Sequence, residues 1–192
     1  MIFPRDIRGS VTRLLILAAL FCFAVPAALA VPPAGQGPSG GSTPNPSQLC
    51  AEQLRTMGAT NFQSMYAPSG NGKNAKGKCV SRQAQVADTA ADNAAKACKT
   101  ERGTTEVSIA AFETKYGTNP NKKNALGKCV SSMANATVEA QQDATMNAAK
   151  KCKAERALNP AAFKTTYGTN KNKANAFGKC VSKLAKQQNS SS

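Results

Sequence analysis

Three copies of a Gly-Lys-Cys-Val-Ser string set Lys78, Lys128 and Lys179 directly before Cys79, Cys129 and Cys180. A lysine at the start of a helix, where backbone N–H groups are free, is suited to hold an anion. These three lysines are therefore the candidate ligand contacts, one for each copy. The same string has a purely structural reading. The glycine would let another helix pass close, and the cysteine would be half of a disulfide. Other chemistry is thinly provided for. The chain has no histidine. That removes Ser-His-Asp and Cys-His sites, histidine general bases and histidine metal ligands together. No Cys-x-x-Cys pair and no Asp-rich calcium loop occurs, so neither a metal nor a cofactor is expected. The spacing Gly72 to Lys78 matches a phosphate-binding loop once, but Cys79 stands where Ser or Thr should hold magnesium. No nucleophile, base and orienting group recur as a set, so an enzyme is not expected.

Charge is the main functional hint. Among 192 residues, 25 are Lys or Arg and 10 are Asp or Glu, a formal charge of +15. Such a balance draws a protein to phosphate or carboxylate polymers in a salt-dependent way. It also serves simply to keep a chain dispersed. Two function classes follow. One is a binding module for anionic polymers such as envelope polymers, anionic lipid head groups or extracellular nucleic acid. The other is a structural or protein-interaction repeat protein with no polyanion ligand.

The N-terminus reads as an export signal. Arg5, Arg8 and Arg13 precede an apolar stretch from Leu14 to Val25, Pro26 breaks it, and Ala28-Leu29-Ala30 fits a cleavage site. Twelve apolar residues fall short of the ~20 that a spanning helix needs. Cleavage after Ala30 would leave a charge of +13, with Cys50, Cys79, Cys98, Cys129, Cys152 and Cys180 as the remaining cysteines. An even number in an exported chain implies disulfides. They are needed, because only 17 of those 162 residues are Leu, Ile, Val or Phe. A core that small must be supplemented.

After a Pro/Gly/Ser-rich linker over 31–47, the chain repeats itself every 50 to 51 residues: 48–97, 98–151 and 152–186, then a polar tail over 187–192. Each unit opens with a cysteine and carries a Phe four residues before a Tyr: Phe62/Tyr66, Phe112/Tyr116 and Phe163/Tyr167. That spacing puts both rings on one helical face, as the core of the unit. Gly58, Ser108 and Asn159 are the expected N-caps, with Met57, Val107 and Leu158 stapling onto the Phe. Gly117 and Gly168 suit a left-handed stop. Asn74, Asn124 and Asn175 then cap Ala-rich helices running roughly over 75–101 and 125–155. Along such helices Cys79 and Cys98 are about 29 Å apart, and Cys129 and Cys152 about 35 Å. A disulfide needs Cα atoms within about 7 Å. Of fifteen possible connectivities, pairing inside each unit is the economical one: Cys50–Cys79, Cys98–Cys129 and Cys152–Cys180. Glu101 and Glu155, in equivalent Cys-Lys-x-Glu-Arg segments, should pair with a nearby Lys or Arg.

The string from Tyr167 to Ser182, YGTNKNKANAFGKCVS, resembles a repeat of secreted actinobacterial proteins without an assigned activity. The resemblance covers Cys50 to about Ala185, and its first copy departs from the string at Ala67-Pro68. It implies export and brings no catalytic residues with it. The expected fold is all-α: three disulfide-tied helical units joined by Ala-rich helices, in an elongated array.

Overall fold

A computed structural model describes residues 44–69 and 71–190. The expected export signal at 1–30 and most of the expected linker lie outside the described residues. Among the described residues every regular element is a helix: α1 (Pro46–Met57), α2 (Ala59–Tyr66), α3 (Ala75–Arg102), α4 (Glu106–Tyr116), α5 (Ala125–Leu158), α6 (Pro160–Tyr167) and α7 (Ala176–Asn189). The chain is all-α. None of these helices is long and apolar enough to cross a membrane. α1 begins inside the expected linker because Asn45 accepts from the Ser47 N–H and Pro46 sits at the first helical position. α7 runs on into the expected tail, to Asn189.

Packing runs antiparallel along the long helices. Cys98 pairs with Cys129, and Ala90 and Ala94 share a cluster with Ala134 and Val138, so residue numbers rise on α3 as they fall on α5. The same holds for α5 and α7, from the Cys152–Cys180 bridge to the cluster of Ala148 with Val181. α1 lies against both α3 and α5. The seam between α3 and α5 is largely alanine. Small side chains let the two backbones approach closely but bury little apolar area each, at roughly 25 cal/mol per Å².

The three disulfides join the pairs that spacing favoured: Cys50–Cys79, Cys98–Cys129 and Cys152–Cys180. All six cysteines are fully buried. Sequence separations of 29, 31 and 28 correspond to about 3.6 kcal/mol for each bridge in the chain-entropy account. Around each bridge the same local core forms. Phe62, Phe112 and Phe163 are buried, and their rings lie 4.8, 4.8 and 4.9 Å from those of Tyr66, Tyr116 and Tyr167.

The units do not follow one another as a line of neighbours. α2 of the first unit packs on α7 of the third. The Ser64 hydroxyl donates to the Ala174 carbonyl, and Arg156 Nη1 donates to Asn61 Oδ1 at 2.7 Å. Met57 does not staple onto Phe62; it is buried with Phe163 and Phe177 of the third unit. Val107 and Leu158, at the equivalent positions, are 82% and 88% exposed and staple nothing.

Several local expectations are also corrected. The N-cap of α4 is Thr105, whose hydroxyl accepts from the Ser108 N–H, because Thr105 and not Ser108 has the extended backbone a cap requires. Gly58 and Asn159 do cap α2 and α6. Gly117 and Gly168 are extended, not left-handed. They are glycine for space: a Cβ would come within 2.5 and 2.6 Å of the Glu113 and Lys164 carbonyls. The left-handed residues sit five positions later, at Lys122 and Lys173, both at φ 55°. Each lysine reaches back to donate from Nζ to the glycine carbonyl, at 3.0 and 2.9 Å. The first unit has Gly72 there, at φ 72°, so the backbone shape recurs although the residue changes.

Asn124 and Asn175 stand at helix starts but make no side-chain cap. Instead each closes the loop before it. Asn124 Oδ1 accepts from the N–H groups of Thr118 and Asn119, and its Nδ2 donates to the Thr118 hydroxyl at 2.7 Å. Asn175 does the same with Thr169 and Asn170. Asn71, Asn121 and Asn172 each accept from the backbone two residues on. The asparagines are turn formers.

Candidate functional site

The three candidate lysines occupy equivalent helix positions and are not gathered at one place. Lys78, Lys128 and Lys179 are each the fourth residue of their helix, and their N–H groups bond the carbonyls of Asn74, Asn124 and Asn175 at 3.0 Å. The first amides, of Ala75, Ala125 and Ala176, are also used, by the loop carbonyls of Gly72, Lys122 and Lys173. What each lysine offers a ligand is therefore its ammonium group. Lys128 adjoins Cys129, bonded to Cys98, whereas Lys78 adjoins Cys79. Nineteen helical residues separate Cys79 from Cys98, about 29 Å. Lys128 thus sits at the far end of α3 from Lys78.

The glycine before each lysine has no single explanation. At Gly178 a Cβ would lie 3.1 Å from the Met65 Cα, so glycine admits α2, not the opening helix of its own unit. At Gly77 and Gly127 nothing lies within 4 Å.

Of the three, Lys78 lies in a concavity. It lines a shallow groove on α3 with Asn74, Ser81, Arg82 and Gln85. Arg82 continues into a second groove between α3 and α5, beside Thr89 and Gln141. It also borders a third, where α3, α5 and α7 meet and Lys186 projects. No carboxylate lines any of the three. Lys78, Arg82 and Lys186 thereby mark one cationic strip with glutamines, serines and threonines between them. Sequence reasoning missed Arg82 and Lys186 because Arg82 has Ser132 and Lys183 at its equivalent positions and shows no repeat signal.

Beneath this strip a buried polar chain ties the first unit to α5. Tyr66 donates to Gln53 Oε1, Gln53 Nε2 donates to Gln142 Oε1 at 2.6 Å, and Gln142 Nε2 donates to the Leu49 carbonyl at 3.3 Å. Burial pushes the Tyr66 phenol above its ordinary pKa, against the opposing pull of nearby Arg82. The phenol therefore stays a neutral donor. At the far end, Lys115 Nζ lies 2.6 Å from Glu101, which also accepts from the Tyr116 hydroxyl. The hydrogen bond from Lys115 holds the Glu101 carboxyl below its usual range. Glu155 has no such cation partner among the described ion pairs; the Tyr167 hydroxyl donates to it at 3.1 Å. The third unit has Thr166 where the second has Lys115.

No family model matches the chain, and neither a curated protein nor a solved structure matches it.

Proposed function

We propose that the chain is an exported binding module for anionic polymers, with Lys78, Arg82 and Lys186 as its principal contacts. The observation that carries this reading is the strip itself: three cations on linked grooves with no carboxylate among the lining residues. The formal charge, +15 for the whole chain and +13 after cleavage at Ala30, supports it, since field strength over such a surface raises encounter with polyanions. Three buried disulfides suit an oxidising compartment and hence export. Lys128, at the far end of α3, lends general charge, and Lys179 lies two turns before Lys186 on α7 without lining these grooves.

The test is titration of the oxidised protein with duplex DNA, a teichoic-type polymer and anionic vesicles at several salt concentrations. Micromolar binding with a steep log–log salt slope is expected. Replacing Lys78, Arg82 and Lys186 by Gln together should reduce that slope by about 2 to 3 on a nucleic-acid polymer. The polymer bound most tightly at physiological salt identifies the ligand class. No binding at that salt by a folded, oxidised protein would overturn the reading. The charge would then serve solubility, and the protein-interaction alternative would take its place.

A further inference from the structure

A second concave site lies between the first and third units, away from the cationic strip. α2 and the segment after it form one wall. α6 and the loop before α7 form the other, and the open cleft between them measures about 580 Å³. That is within the roughly 300–1,000 Å³ of small-molecule sites. Pro68 and Pro160 supply apolar surface at the rim, over the buried Ala67, Ala176 and Phe177. Arg156, Lys164 and Lys173 supply charge, and no lining residue is Asp or Glu. Arg156 is held in place: its Nη1 bonds Asn61, which is buried and anchored in turn on the Met57 carbonyl at 2.9 Å. Lys173 is fixed by its bond to the Gly168 carbonyl. A guanidinium and an ammonium already positioned lose little freedom when an anion arrives.

The second unit provides an internal control. Arg102, Phe112, Glu113, Lys122 and Leu126 line a smaller hollow of about 290 Å³ at the equivalent place. There a carboxylate, Glu113, stands where the third unit has Lys164, and no second wall faces it. The third unit has a base where the second has that acid, and a wall supplied by the first.

We propose that the cleft between α2 and α6 binds a small organic anion with an apolar body, its acidic group held by Arg156, Lys164 and Lys173. The site is independent of the polymer-binding strip, since the two share no residue. The probe is 8-anilinonaphthalene-1-sulfonate, which joins aromatic rings to one sulfonate, followed by fluorescence titration of the oxidised protein. One probe per chain should bind, with a Kd on the order of 10 µM. Lys164→Glu, which copies the charge of the second unit at an exposed position, should weaken binding about tenfold or more. Thr60→Trp, which fills the cleft from the first turn of α2 without altering charge, should do the same. Glu113→Lys should add no second probe, because the wall is missing there. Inorganic phosphate should compete only at far higher concentration than the probe. Absence of one-to-one binding, or binding unchanged in both Lys164→Glu and Thr60→Trp, would overturn the proposal. Equal competition by phosphate would overturn the apolar part of it.

Discussion

The second and third units share their loop text, their ring geometry and their disulfide, yet they stand in different surroundings. Phe112 packs with Cys98, Cys129 and Ala125, and among the described helices α4 meets only α3 and α5. Phe163 packs in a larger cluster that includes Met57 from the first unit, and α7 receives α2 across Gly178. One end of the pair of long helices is therefore a lone unit closed by its own bridge. The other is two units closed on each other. A repeated sequence can specify the same local fold three times while contacts between units make the copies unequal.

The largest test of this difference removes bridges. Cys98→Ala with Cys129→Ala should cost about 3–4 kcal/mol in urea unfolding, and amide exchange should rise throughout 98–129. Cys152→Ala with Cys180→Ala should cost a similar amount globally. Protection over α7 should persist better, because α2 still covers it. Equal exchange at both ends would deny that docking matters.

Glycine substitutions sharpen the same contrast with opposite signs. Gly178→Val forces a branched side chain against the Met65 backbone and should destabilise by about 1–3 kcal/mol. Gly127→Ala meets nothing and should stabilise by about 0.5 kcal/mol through helix propensity. Thermal melts of the two variants decide it; a shift of the same sign in both would refute the assignment.

In the first unit, Gln53→Leu should cost about 1–3 kcal/mol, since the Tyr66 hydroxyl and the Gln142 side chain lose a buried partner. Denaturant unfolding measures this, and a neutral result would mean that the chain of side chains relaxes without loss. The smallest effect belongs to Glu101. Its folded pKa is lowered, chiefly by the hydrogen bond from Lys115. Its contribution is therefore present above the ordinary glutamate pKa and is lost as pH falls through the lowered folded value. For so exposed a pair it should stay below about 1 kcal/mol. The melting difference between the protein and Glu101→Gln should narrow on acidification; a constant difference would remove the ion pair from the account.

Much of each unit was legible because its determinants are close in sequence. Phe and Tyr four residues apart lead to the short helices, and the distance along an Ala-rich helix favours the bridges. Errors fell where a local rule had competitors. Ser108 and Thr105 both suit a cap, and only backbone shape separates them. Val107 and Leu158 have the composition of staples but no surface to cover. The left-handed turn falls on Lys122 and Lys173 and not on the glycines before them. The lysine side chain closes the loop on the glycine carbonyl, and nothing in helix propensity reveals that. Lys78, Lys128 and Lys179 share a text, whereas the cationic strip draws Arg82 and Lys186 from positions that do not repeat.

By itself the sequence determined the all-α class, the three copies and the cationic character, and it favoured one set of disulfide partners, since these depend on composition and on spacings within about thirty residues. Only the tertiary structure decided that α2 seats on α7, that Arg156 is held by Asn61, and that a cleft opens between the first and third units. Those contacts join residues about 95 to 110 positions apart. They arise because antiparallel packing of α3, α5 and α7 returns the chain to the end where it began.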